Sequence, residues 1–255
     1  MRGFKTIKKQ PTQPQSQPQY EVADVLNKLG SKLEDLGLNS WQLRTLFALK
    51  KCRTSALGGH IDACDECGNI SISYNSCRNR HCPKCQGRNR EDWIQTRETE
   101  LLPVPYFHVV FTLPEVLNKT ALHEPKMLYD ILFESAWETL QTFGKNKNLQ
   151  MGMIAVLHTW GQNLSLHPHL HCIVPGGGVD ENGAWKNIKN DGKFLFSVKA
   201  LSKVFRAKFC EKLKANLKDK FNENQENEYE KIRQSLWEKP WVVYAKKPFG
   251  SPKSV

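Results

Sequence analysis

Polar and apolar positions along the chain fall into blocks with different periods, and each block predicts a different element. Residues 8–19 consist of Gln, Pro, Lys, Thr and Ser. Such a stretch cannot bury enough apolar surface to offset its ordering entropy, so it predicts a flexible leader over residues 1–19. Val22, Val25, Leu26 and Leu29 then recur at helical spacing, with Gly30 as the stop. A second helix is expected from Ser40, an N-cap type, with Trp41, Leu43, Leu46, Phe47 and Leu49 on its apolar face. The periodicity is lost at Cys52, and a cysteine-dense segment runs to Cys85 before a polar helix from about Gln86 to Leu101.

Pro103 and Pro105 punctuate the chain there and predict a domain boundary. Tyr106 to Leu113 is an apolar run closed by Pro114 and predicts a buried strand. An amphipathic helix is expected from Lys126 to Phe143, stopped by Gly144. Two strands follow, Met151 to Gly161 and His167 to Pro175, joined by the polar Gln162–Ser165 and ending at a turn of three glycines, Gly176 to Gly178. A basic helix over Ser197 to Phe221, a polar stretch over Asn222 to Glu230 and a last strand over Trp241 to Ala245 complete the pattern. Strand, helix, strand, strand, helix, strand is the order of a ferredoxin-like antiparallel α+β unit. The predicted fold class is therefore α+β: a small helical, zinc-knuckle domain over residues 20–101 and a ferredoxin-like domain over residues 102–255.

The candidate chemistry sits in two places. His169 and His171 are separated by Leu170 on a predicted strand, so both imidazoles point to one face and suit a shared divalent ion. A third ligand is expected, and His167, which shares their parity, is the candidate unless Pro168 displaces it. His108, His123 and His158 join no constellation and receive no role. Cys64-Asp65-Glu66-Cys67 and Cys82-Pro83-Lys84-Cys85 are two Cys-x-x-Cys knuckles, which together complete one tetrahedral zinc shell. Cys52, His60, Cys77 and His81 are candidates for a second; the spacing leaves the pairing open between sequential and cross-braced, and the segment is expected to hold one or two structural zincs. With little apolar mass of its own, it needs the metal to fold.

Composition narrows the partners. The chain of 255 residues carries 37 Lys and Arg against 26 Asp and Glu, a formal net charge of +11, which favours a polyanion. Arg53, Arg78, Arg80, Lys84, Arg88 and Arg90 surround the zinc ligands, with Tyr74 and Trp93 interleaved, as a DNA-contacting face requires. The helix from Lys199 to Lys220 adds eight Lys or Arg against Glu211 and Asp219. No apolar run reaches the length of a membrane span or a secretory signal, so the expected location is the cytoplasm, on the nucleoid when DNA is bound. There, cysteines are metal ligands or buried thiols.

Cys52-Arg53-Thr54, Gly58-Gly59-His60 and Tyr74-Asn75-Ser76-Cys77-Arg78-Asn79-Arg80-His81-Cys82-Pro83-Lys84-Cys85 resemble the zinc-binding N-terminal domain of rolling-circle transposases of the insertion-sequence-ninety-one type. His169-Leu170-His171 resembles the His-hydrophobe-His motif of the HUH endonuclease superfamily. The resemblance implies a tyrosine that attacks single-stranded DNA at the ends of its own element and leaves a 5′-phosphotyrosine, with magnesium or manganese on the two histidines. It also implies a Tyr-x-x-x-Tyr pair beyond the histidine motif, which is absent here: the downstream tyrosines are Tyr229, among acidic residues, and Tyr244, in an apolar strand where it is expected to pack. The expectation is a chain that stops just before its nucleophile, with an incomplete HUH-type sheet and Tyr244 a remote candidate. The other readings are a non-catalytic zinc-dependent DNA-binding protein and a metal-dependent phosphodiester hydrolase.

Overall fold

The computed structural model describes residues 19–65, 67–188, 195–217 and 232–250. The leader, the polar stretch with Tyr229 and the last turn expected of the basic helix lie outside the described residues. The chain divides into two compact units, residues 1–100 and 101–255.

In the first unit α1 (Val22–Leu29) and α2 (Ser40–Lys51) form the predicted helical pair. Asn39, one residue before the expected cap, closes α2: its side chain accepts from the Gln42 amide at 2.9 Å, while Gln42 accepts from the Asn39 amide at 2.9 Å. The core of this unit is small, with Leu26, Leu33, Leu49, Cys52 and Cys82 buried. The cysteine segment contains a hairpin that its sequence period does not announce, β1 (Gly59–Ala63) paired with β2 (Ile70–Tyr74). Ile61, Ile70 and Ile72 on this hairpin stay exposed. The helix α3 (Pro83–Thr99) begins three residues earlier than expected, with Pro83 in the first turn, where no amide hydrogen is needed.

The second unit is built on four strands, β3 (Tyr106–Thr112), β5 (Ile154–Trp160), β6 (Leu166–Pro175) and β9 (Val243–Ala245). They lie in the order β5-β6-β3-β9, with every neighbouring pair antiparallel. That is the predicted ferredoxin-like arrangement, the first strand lying between the third and fourth. Helices α5 (Pro125–Lys145) and α6 (Val198–Leu217) supply the rest of the core, together with the shorter α4 (Asn118–His123). Phe107, Val109 and Phe111 of β3 and Leu170, Cys172 and Val174 of β6 point into it, each 1% exposed or less. Their odd–even neighbours, His108 and Val110 or His169 and His171, therefore stand on the opposite, more open face.

The glycines after β6 form no simple turn. Gly177–Val179 is a strand, β7, between β4 (Gln150–Met151) and β8 (Trp185–Asn187). A side chain at Gly178 would meet the Gln150 carbonyl at 2.5 Å, so close strand approach, and not a bend, requires the glycine. Among the described residues no helix is long and apolar enough to cross a membrane.

Candidate metal centres and DNA interface

Four thiols meet in the first unit. Cys52 ends α2, Cys77 follows β2, and Cys82 and Cys85 lie at the start of α3. The Cys52 sulfur is 3.5 Å from those of Cys82 and Cys85, and Cys77 is 3.6 Å from Cys85. A tetrahedron of Zn–S bonds of about 2.3 Å has sulfur–sulfur edges of about 3.8 Å, so the four sulfurs already stand close to a zinc shell. The Cys77 amide points at the Cys52 sulfur at 3.4 Å, the kind of donor that steadies a thiolate. Arg53 and Arg78, each directly after a cluster cysteine, have φ of 57° and 51°. Left-handed backbone at a non-glycine residue costs energy, and here it turns the chain around the thiols.

The protonation pattern suits a cation. Burial pushes the Cys85 thiol up, but donation from the Cys52, Cys77 and Cys82 thiols outweighs it and brings Cys85 down to about 7. Burial raises Cys52 and pushes Cys77 up to about 12. One thiolate therefore forms near neutral pH, while Cys52 and Cys77 keep their protons until a metal takes their place.

This shell differs from the one expected. The two Cys-x-x-Cys knuckles do not join: Cys64 and Cys67 are exposed at the far end of the β1–β2 hairpin, and Cys52 and Cys77 complete the set with Cys82 and Cys85. The hairpin is the physical reason, since five cross-strand pairs carry its tip away from the strand ends. His60 instead faces Asp62 at 3.6 Å, and His81 accepts from Arg80 at 3.2 Å. Among the described residues these four potential ligands form no second cluster.

In the second unit three histidines gather on the open face of the sheet. His169 and His171 share a face of β6, as expected, with their Nε2 atoms 3.1 Å apart. The third is His158 of β5, directly opposite His169 in the ladder. A β-bulge puts it there. Trp160 pairs with Leu166 and His158 with His169, so Thr159 alone faces His167 and Pro168. Pro168 has no amide hydrogen to give the ladder, which is why the extra residue falls at this point. Unbulged, His158 would oppose Pro168 and point to the other face. The same bulge leaves His167 exposed and outside the trio, although it lines the same open cleft of about 840 Å³.

A hydrogen bond fixes the His169 tautomer. His169 Nδ1 lies 2.6 Å from the His167 carbonyl, an oxygen that only accepts, so Nδ1 carries the proton and the Nε2 lone pair faces His171. His171 Nδ1 is 2.7 Å from Nε2 of His108 on β3, whose ring stacks on it at 4.9 Å. With His171 donating to His108, both Nε2 lone pairs converge on one point. Metal–nitrogen bonds of about 2.1 Å at right angles place ligand atoms about 3.0 Å apart, which matches the observed gap. Burial, followed by the charges of His158, His108, His169 and Lys246, holds His171 down to about 4, so it is neutral and ready to coordinate. Burial also lowers His108 and His158.

Both missed histidines were legible only through strand register. His108 needs the β3–β6 pairing and His158 needs the bulge, and neither shows in local spacing.

Tyr244 is no core aromatic. It is 51% exposed on the edge strand β9, opposite Val110, which in turn is opposite His171. Two strand spacings, about 10 Å, separate it from the histidines. The candidate DNA residues of the first unit are exposed or half-buried: Lys84 pairs with Glu21, Arg88 lies 3.8 Å from Asp92, and Arg53, Arg78, Arg80 and Arg90 reach solvent. The basic helix is less available than its sequence suggests. Lys212 bonds to Glu134 and Glu138 of α5 at 3.1 and 2.8 Å, Lys208 lies 3.5 Å from Glu138, and Arg206 donates to the Trp237 and Lys239 carbonyls.

Residues 24–113 match the transposase zinc-binding domain family, and residues 152–255 match the family described as "Putative transposase". A transposase of Sinorhizobium fredii, y4qJ, is 42% identical over 248 residues, covering 92% of this chain and 62% of its own length. The transposase for insertion sequence element IS801 of Pseudomonas savastanoi is 35% identical over 158 residues, covering 61% and 38%. Among solved structures, a conjugative relaxase, TrwC, complexed with a 27-mer DNA is 14% identical over 42% of this chain and 43% of its own, with a TM-score of 0.33. A metal-free structure of the same relaxase with DNA gives 14%, 42%, 43% and 0.33.

The first unit thus carries a transposase zinc-binding domain, and the second matches a transposase family. The zinc-binding domain is of the insertion-sequence-ninety-one type, and the chain spans less than two thirds of the length of either curated relative.

Proposed function

We propose that the chain carries the zinc-dependent DNA-binding part and the metal-dependent phosphodiester site of a rolling-circle transposase, acting on single-stranded DNA at the ends of its element. The observation that carries this reading is the convergence of His158, His169 and His171 on the open side of an antiparallel sheet. Cys52, Cys77, Cys82 and Cys85 hold one structural zinc, and the histidine trio holds magnesium or manganese.

A divalent ion there would withdraw charge from a phosphate and stabilise the negative charge that builds up during attack. The chain's own residues do the rest. The His167 carbonyl holds His169 in the coordinating tautomer, and His108 can accept from His171 Nδ1 when its Nε2 takes a metal. Arg53, Arg78 and Arg80 offer phosphate contacts around the zinc shell. The resemblance implies a tyrosine hydroxyl as nucleophile, which would need such an ion because a phenol is largely protonated at neutral pH.

None of the six tyrosines belongs to a Tyr-x-x-x-Tyr pair, and the one described on the histidine face, Tyr244, stands two strands away. This favours one second reading, a DNA-binding chain that does not itself cut. A denaturing gel separates the two. The 255-residue protein, given manganese and single-stranded DNA from its element's ends, is expected to form no covalent adduct while binding the DNA. An adduct lost on Tyr244→Phe would make Tyr244 the nucleophile and overturn that assignment.

A further inference from the structure

Trp160 is the last residue of the edge strand β5 and is 54% exposed. It shares its face of the strand with His158, and their rings lie nearly parallel, 9° apart with centroids at 5.5 Å. The core-facing positions of β5 are filled by the small or aliphatic Ala155 and Leu157, so the indole is not spent on packing. It lines the cleft shared with the three histidines, next to the polar tip Gln162, Asn163 and Ser165. That tip is held in shape: Asn163 Oδ1 accepts from the Ser165 hydroxyl at 2.6 Å and from its amide at 3.1 Å.

Single exposed aromatics are ordinary on a protein surface, and Trp160 is set apart by lining the same cleft as the three histidines. Nucleobases have the right chemistry. Each presents a flat apolar face, and stacking on an aromatic side chain is tolerant of sequence. A backbone phosphate over the histidines places its attached nucleoside within one nucleotide of Trp160. The cleft of about 840 Å³ is large enough for a nucleotide.

We infer that Trp160 is a nucleobase subsite: the base next to the phosphate held at the histidines stacks on the indole face turned away from His158. The inference rests on the phosphodiester-site reading above. It adds a positioning role, since a stacked base fixes where along the strand the phosphate sits. Specificity for one base is not expected from stacking, although the amides of Gln162 and Asn163 are near enough to the tip to meet a base edge.

The experiment uses the full chain with zinc and manganese, a thymidine hexanucleotide, and a hexameric abasic phosphodiester of equal charge. The chain has seven tryptophans, so the difference in emission between wild type and Trp160→Phe isolates Trp160. Thymidine hexamer should quench that difference and the abasic hexamer should not. Trp160→Ala should bind the thymidine hexamer about tenfold more weakly. Trp160→Phe should stay within about threefold of wild type, and both variants should bind the abasic hexamer as wild type does. A thermal melt matching wild type shows that Trp160→Ala is folded. Wild-type binding with no loss in Trp160→Ala, or an equal loss on the abasic hexamer, overturns the subsite alone. No thymidine-hexamer binding by wild type overturns the phosphodiester-site reading and the subsite with it.

Discussion

The thiol cluster and the histidine cluster are both sets of soft or borderline ligands, yet the fold treats them in opposite ways. The thiols are the centre of their unit. Two of its five buried core residues are themselves ligands, Cys52 and Cys82. The histidines are an outgrowth of a core that exists without them, a large layer of residues such as Phe107, Phe111, Leu132, Phe205 and Phe209. A zinc on the thiols would stand in for a core; an ion on the histidines would be held by one. Structural ions in small domains contribute folding free energy outright, whereas ions on a preformed face contribute chemistry.

The largest effect follows from that contrast. Removing zinc, or replacing Cys82 and Cys85 by Ser, should unfold residues 20–100 and leave the second unit's transition in place, as the apparent binding energy of a structural zinc is about 10 kcal/mol. Hydrogen exchange measured by mass spectrometry reads both units in one sample. Cys64→Ser with Cys67→Ser is the sharpening control: it should leave one zinc per chain, because these cysteines lie outside the cluster. Loss of all zinc in that double variant would break the assignment.

A smaller effect concerns pH. His171 is held down to about 4 against an ordinary value of 6.5, and His158 and His108 shift the same way, all chiefly by burial. Between those values the unfolded chain binds protons that the folded one refuses. The contribution is fully present above about pH 6.5 and is lost as pH falls through about 4. Urea midpoints of the metal-free second unit should therefore fall over this window, and His171→Phe should flatten the fall. A slope unchanged in that variant would remove His171 as the cause.

Legibility divides along the same line. Fold order was readable because amphipathic periods and Gly or Pro stops are local, as for α5 and β3. His169 and His171 were readable for the same reason, being two apart on one strand. His158 was not, because its place depends on one extra residue opposite Thr159, and a one-residue change of register reverses every face. The pairing of the zinc ligands was not legible because Cys-x-x-Cys spacing is a local signal, while Cys52 and Cys77 are brought in by the end of α2 and the exit of β2. Tyr244 reads as a core residue among Val243 and Ala245, but β9 is an edge strand with one open face.

The account turns on His158 most directly. Zinc-replete protein, titrated with manganese and followed by the electron paramagnetic resonance signal of the free ion, should bind one manganese per chain. His158→Ala should abolish that binding as completely as His169→Ala with His171→Ala, while His167→Ala keeps it. Manganese held equally well by His158→Ala, and lost in His167→Ala, would contradict the bulged register and the site built on it.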